Sequence, residues 1–262
     1  MASEAAETLT NALLDAVKFG NAEAVRRLLE AGAEPDRRPT NTTNGNRPLT
    51  KLIHGMLFAA EFNKVHRTLC PAPVGLPEMF KPWYQSPGAD PVGCCAALLE
   101  AGASPNLIPG DLYDAPIFSA IHASPAVLEL LIGAGADVNV TEHGGETALA
   151  HACRFGFSQQ VAALLAAGAD VNAIPRRWGP GWVWRLYQRP RRVISLLLRA
   201  GVALPQPGTL YTVKVQRAGG FERYEAQMKI SLATIFIDKF PVGLPIAPLR
   251  TIVEFWAHAG DY

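Results

Sequence analysis

Residues 147–172 decide the fold, and they read TALAHACRFGFSQQVAALLAAGADVN. Thr147 can cap a helix through its hydroxyl oxygen, and Gly156 favours the left-handed conformation that ends the same helix. A second helix follows and ends in the same way at Gly168. The predicted apolar faces are Leu149, Ala152 and Cys153 on the first helix, and Val161, Leu164 and Leu165 on the second. This spacing predicts two short helices in a hairpin.

The same pattern recurs along the chain. Gly102, Gly135, Gly168 and Gly201 are spaced 33 residues apart, and each follows a pair of leucines. A further copy ends at Gly32, 70 residues before Gly102. A fixed period of this length is typical of repeat solenoids, in which each unit buries its apolar face only against its neighbours.

The unit resembles the ankyrin repeat. That family's pattern begins Thr-Pro-Leu-His-x-Ala, has a glycine between its two helices, and closes with Leu-Leu and Gly-Ala-Asp-Val-Asn. The resemblance covers residues 5–204. It implies an all-α ankyrin-repeat solenoid of about five repeats with finger turns, and a non-catalytic scaffold or adaptor that binds other proteins.

Two parts of the chain depart from the repeat. The second copy is interrupted by a Pro-rich insertion near residues 62–91. Residues 205–262 are expected to form a helical cap, with an amphipathic helix from Phe221 and another after Pro248. The stretches 219–224, 239–241 and 252–260 resemble the C-terminal tail of ankyrin-type proteins of unicellular algae, a resemblance that implies no activity.

Composition narrows the class of protein. The chain has 262 residues and a formal net charge of +1, so no global attraction to nucleic acid or anionic lipid is expected. Its acidic N-terminus does not resemble a targeting segment, and no apolar run reaches the ~20 residues of a membrane helix. Four irregularly spaced cysteines predict a reducing compartment, cytoplasmic or nuclear. We expect a monomer without membrane contact.

No motif of a catalytic, cofactor-binding or metal site is present, and the six histidines are scattered. A closed cavity with a perturbed titratable pair would instead favour an enzyme. A zinc site could be drawn from His66, Cys70, Cys94 and Cys95, but adjacent cysteines chelate a tetrahedral ion poorly. The alternative is that these cysteines act as small buried apolar residues. We expect no enzyme, cofactor or metal.

The ankyrin resemblance also implies where a partner would bind. In that family, side chains of the finger turns and of the start of each first helix line the concave face. The matching residues are Asp111, Tyr113, Thr141, His143, Glu146, His151, Arg176, Arg177 and Trp178. Each of them could equally be a solvated turn residue.

Two stretches have unusual composition. Residues 176–192 hold six arginines, three tryptophans and a tyrosine, which suits a protein or peptide partner, suits single-stranded nucleic acid less well, and is also compatible with a solvated face. The insertion carries aromatic and apolar residues that form either a contact surface or a satellite core. They are Met79, Phe80, Trp83 and Tyr84.

The C-terminal segment raises one further alternative. Residues 244–249 before an apolar helix resemble the start of an F-box, which would make the chain a substrate-receptor or adaptor subunit of a ubiquitin ligase. Burial of Ile252, Phe255 and Trp256 against the last repeat would indicate a cap. Their exposure would indicate a docking element.

Overall fold

The computed structural model describes residues 2–37, 47–57, 88–107, 115–142, 144–173, 191–202 and 210–239. Over these ranges the chain is α-helical, apart from an isolated antiparallel bridge between Thr141 and Thr147. The helices are α1 (Ala2–Lys18), α2 (Ala22–Glu30), α3 (48–57), α4 (Pro91–Glu100), α5 (Pro116–Ala123), α6 (Pro125–Gly133), α7 (Ala148–Phe155), α8 (Ser158–Ala166), α9 (Arg191–Arg199), α10 (Leu210–Arg217) and α11 (Phe221–Lys239). The expected all-α class is confirmed.

The helices pack as hairpins that stack in order. α1 packs on α2, α5 on α6, and α7 on α8. The second helices of successive hairpins form one row, in which α2 contacts α4, α4 contacts α6, α6 contacts α8, and α8 contacts α9. The first helices α5 and α7 lie side by side in the other row. These paired contacts are those expected of an ankyrin-type solenoid.

The row of second helices is held by one leucine per repeat. Leu98, Leu131, Leu164 and Leu197 each lie four residues before a repeat glycine, and all four are fully buried. Burying a leucine contributes about 1.5–3 kcal/mol. The equivalent Leu28 is only partly buried, because α2 is the first helix of the row and has a neighbour on one side.

The repeat glycine makes the turn after each second helix. Gly168 has φ of 85°, and the following amide, that of Ala169, donates to the carbonyl of Leu164 at 3.0 Å. Nothing lies within 4 Å of the position that a Cβ at Gly168 would occupy. The positive φ, rather than lack of space, therefore selects glycine here.

The turns of successive repeats are joined by side-chain acceptors. Four residues after the repeat glycine, an Asp or Asn side chain accepts a hydrogen bond from a backbone amide of the next turn. Each such bond contributes about 0.5–1.5 kcal/mol. The three bonds run from Ser104 N to Asp36 Oδ2 (2.9 Å), from Asp137 N to Asn106 Oδ1 (2.8 Å) and from Asp170 N to Asn139 Oδ1 (2.8 Å).

One C-terminal helix, α11, packs on the last described repeat, and α10 packs on α11. α11 contacts α9, where Arg199 forms an ion pair with Glu225 and lies over the ring of Phe221. The predicted helix from Phe221 is confirmed, whereas α10 was not predicted from the sequence. Residues 58–87, residues 174–190 and the segment after Pro248 lie outside the described ranges. They include most of the predicted insertion, the first helix of the fifth unit and the second capping helix.

Candidate functional site

Two histidines meet where α5 packs against α7. The Nε2 atoms of His122 on α5 and His151 on α7 are 2.7 Å apart, and the two rings are nearly perpendicular. His151 is 9% exposed and His122 is partly buried. The contact crosses the boundary between two repeats, so it directly joins their first helices, α5 and α7.

Aromatic rings surround the histidine pair. Phe155 lies 4.5 Å from the His122 ring centroid and 5.0 Å from that of His151, and Phe157 lies 5.3 Å from His122. Phe118 contacts the edge of His151 at 5.7 Å. Such a surround limits the water that reaches the two imidazoles.

Charged side chains lie near the other ring nitrogen of His151, Nδ1. Arg154 Nη2 is 3.1 Å from His151 Nδ1, and Arg154 Nε donates to Glu146 Oε1 at 3.1 Å. The carboxylates of Glu146 and Glu142 lie 3.8 and 4.0 Å from the same Nδ1. These two separations are too long for direct hydrogen bonds, and they are ion pairs only when His151 is protonated.

The surroundings of Glu146 decide its ionisation. Burial alone would raise its pKa, but the adjacent His151 and the Arg154 guanidinium lower the pKa below its ordinary 4.5. The nearby thiol of Cys153 is shifted the other way, since burial, followed by the charge of Glu146, raises its pKa. Glu146 is thus a buried carboxylate that remains ionised at neutral pH.

The same groups have the composition of a cation site. Ligand atoms of Glu142, Glu146 and His151 lie within 4.8 Å of one another. Arg154 already provides a cation to two of them, through contacts at 3.1 Å with both Glu146 and His151. The positive charge that a metal ion would bring to Glu146 and His151 is therefore already provided by the guanidinium of Arg154.

Three of the predicted partner-binding residues fall in the described part of the chain. Thr141 is exposed, in the turn that precedes α7. Glu146 is 5% exposed and His151 is 9% exposed; His151 lies in the α5–α7 contact, and Glu146 pairs with Arg154. Their contact with a partner stays a prediction. Asp111, Tyr113, His143, Arg176, Arg177, Trp178 and the loop residues Met79, Phe80, Trp83 and Tyr84 lie outside the described ranges.

His122, Arg154 and Glu142 were not singled out by the sequence, although the structure brings them to the same cluster. Ser124 shifts the position of His122 relative to the 33-residue period. It is extended (φ −167°, ψ 138°) and joins α5 directly to α6, so the third unit has one residue fewer between its helices than the fourth. His122 therefore aligns with Arg154, 32 rather than 33 residues later.

The zinc hypothesis can be examined at two of its four positions, Cys94 and Cys95, and Cys153 of the repeat pattern is also described. Cys94, Cys95 and Cys153 are fully buried free thiols. Burial raises the pKa of Cys94 to about 11 and that of Cys95 to about 12. These are core residues, as the apolar alternative predicted, whereas His66 and Cys70 lie outside the described residues.

Comparison with known proteins agrees with this architecture. Residues 117–165 match the family model described as ankyrin repeats (many copies), which spans α5 to α8. These residues are therefore ankyrin repeats, and the protein is a helical repeat protein. Ankyrin repeats are generally protein-interaction modules and typically non-catalytic; the comparison found no enzyme family. No curated protein matches the chain. In the described ranges, none of the helices has the length and apolar character needed to cross a bilayer.

Proposed function

We propose that this chain is a non-catalytic module that binds a protein or peptide partner through its finger turns and first helices. The observation that carries the proposal is the ankyrin match over residues 117–165, in which the turn before α7 presents Thr141 to solvent. Ankyrin repeats generally bind other proteins, which supports a protein or peptide as the partner.

The order of this turn supports the proposal. Thr141 pairs with Thr147 across it, Glu142 N donates to Glu146 O at 3.0 Å, and Gly145 N donates to Glu142 O at 2.8 Å. A binding surface that is already ordered loses little conformational entropy when a partner arrives. The turn can therefore present its exposed side chains at low cost.

The proposed contact residues extend the same face to both sides. We place Asp111 and Tyr113 before α5, Thr141 and His143 before α7, and the arginine-tryptophan stretch in the fifth unit. Arg176, Arg177 and Trp178 are the proposed anchors of that stretch, since arginine and tryptophan are enriched among the residues that dominate binding energy. The loop residues Met79, Phe80, Trp83 and Tyr84 are a second proposed contact.

The test is affinity capture with the full chain and two variants of the proposed face. Changing Arg176, Arg177 and Trp178 together to alanine, or Thr141 to arginine, should remove the same captured proteins. The matched control changes Arg26 and Arg27 to alanine, because both are exposed on α2 in the row of second helices. Thermal melts of all variants establish that each is folded.

An unchanged set of captured proteins in both face variants, or an equal loss in the control, would contradict the proposed face. Capture of ubiquitin-ligase subunits that depends on residues 244–262 would favour the adaptor alternative. Binding of single-stranded oligonucleotides that weakens steeply with salt would favour nucleic acid instead.

A further inference from the structure

We infer that the His122–His151 contact is a pH-sensitive link between two adjacent repeats. It holds while a single proton lies between the two Nε2 atoms, and it opens when both imidazoles are protonated. The inference rests on the packing of α5 against α7 and does not require the proposed partner.

The neutral form of the pair is fixed by Arg154. A guanidinium only donates hydrogen bonds, so the His151 Nδ1 that lies 3.1 Å from Arg154 Nη2 must accept. The proton of neutral His151 is therefore on Nε2, where it is donated to His122 Nε2 at 2.7 Å. Since His122 Nε2 accepts, the proton of neutral His122 is on Nδ1. The two rings are opposite tautomers.

A first added proton can be accommodated without separating the helices. It binds His151 Nδ1, which then turns from acceptor to donor and releases Arg154 Nη2. The new positive charge faces Glu146 and Glu142, whose oxygens lie 3.8 and 4.0 Å away. With Arg154 also present, two positive groups then balance two carboxylates, and the proton between the two Nε2 atoms is unchanged.

A second added proton cannot be accommodated in the same geometry. It has to bind His122 Nε2, which places two N–H groups head to head across 2.7 Å on two cationic rings. Relief requires the two rings to separate. Because Phe118, Phe155 and Phe157 pack around the rings, we infer that α5 and α7 move apart with them. Protonation of both rings and loss of the contact are thus one event.

The charged and titratable groups of the neighbouring described helices are few. In the preceding unit, α3 carries Lys51 and His54, both partly buried. Within the described residues, α5 carries no charged side chain besides His122, and α8 carries none. The one charged residue of α6, Glu129, is exposed, and α6 belongs to the other row. On α7, Arg154 adds positive charge and the buried Cys153 thiol is held in its neutral form by a raised pKa.

The first measurement uses the unmodified protein. Long-range ¹H–¹⁵N spectra of the histidine rings at pH 8 should show His151 protonated on Nε2 and His122 protonated on Nδ1, and the His122→Phe and His151→Phe variants assign the signals. Two rings in the same tautomer would overturn the inference, because one proton could not then be shared as described.

The second measurement follows hydrogen exchange of the α5 and α7 amides from pH 7.5 to pH 5, corrected for the intrinsic pH dependence of exchange. Uptake of one proton on opening changes an equilibrium up to tenfold per pH unit, so we expect protection in the wild type to fall by at least about tenfold. His122→Phe keeps a ring beside Phe155 and Phe157, so in this variant protection should change by no more than about twofold between pH 7.5 and pH 5.

The matched control is His54→Phe, which removes a partly buried histidine of α3 and should leave the wild-type fall in α5 and α7 intact. A wild type with no fall in protection, or a His122→Phe variant with the full fall, would overturn the inference. If His122→Phe does not fold, the tautomer spectrum of the wild type still decides.

Discussion

Changing Gln160 to methionine tests how much the hydrogen bond from its side chain to the carbonyl of Ile121 stabilises the protein. This bond lies where the third unit departs from the repeat. The backbone donor that a continuing helix would offer to the carbonyl of Ile121 belongs to residue 125, which is a proline and has no N–H. Gln160 of α8 provides the donor instead, with Nε2 3.1 Å from that oxygen and the glutamine 8% exposed. Methionine keeps the length of the side chain and removes the donor.

A buried carbonyl that loses its only donor costs about 1–3 kcal/mol, so we expect Gln160→Met to lower the free energy of unfolding by about 2 kcal/mol. With an m-value of about 2 kcal/mol/M, the urea midpoint falls by about 1 M. Gln159→Met is the matched control, because Gln159 is the exposed neighbour on the same helix, and it should stay within about 0.5 kcal/mol of wild type. Equal stability of the two variants would refute the reasoning.

Three further predictions concern the same repeats. Asn139→Ala removes the acceptor for the amide of Asp170 and should cost about 1 kcal/mol in urea unfolding, and no loss would show that the turn-to-turn bond is not stabilising. Gly156→Ala places a side chain at φ of 75° and should lower stability by about 1–2 kcal/mol, whereas an unchanged melting temperature would argue against the left-handed cap. Because the pKa of Glu146 is lowered in the folded state, its contribution is present above its ordinary 4.5 and is lost as pH falls below that value. Glu146→Gln should flatten the decline in stability from pH 5 to pH 3, and a slope equal to wild type would contradict the assignment.

The repeat helices were predictable because their signals are local. Thr147 accepts from Ala150 N at 3.2 Å as the predicted cap, and Gly156 adopts the left-handed conformation that ends α7. Leu49 and Leu52, three residues apart on α3, are likewise buried on one face of that helix. In each case the conformation depends on residues that lie within a few positions of each other, so the residue types and their spacing are enough to predict it.

The histidine cluster could not be predicted because it depends on registration between repeats. Ser124, which precedes a proline and is therefore extended, shortens the third unit by one residue, so α5 and α7 are offset by 32 residues rather than 33. The 33-residue period pairs His151 with Phe118, which does contact its ring, but it does not indicate the contact with His122. The pattern also assigned Glu146 and His151 to the partner-binding face, whereas both are buried, and His151 packs against Phe118 and His122 of α5.

α10 was missed for a different reason. Its sequence, LYTVKVQR, alternates polar and apolar residues from Thr212 to Gln216, which is the period of a strand rather than of a helix. Val215 is nevertheless 1% exposed, so packing rather than local preference accounts for this helix. The contact of α11 with α9 likewise joins segments that are distant in sequence, so local patterns do not predict it. That α11 caps the last repeat is our proposal.

The central claim is that each hairpin is stable only through its neighbours, and hydrogen exchange of a Leu164→Ala variant tests it most directly. Leu164 is fully buried on α8, which contacts α6 and α9, and its truncation should cost about 2–5 kcal/mol. We predict that the amides of α6 and α9 lose protection together with those of α8, while those of α1 lose the least. Wild-type protection in α6 and α9 beside a loss confined to α8 would contradict the claim.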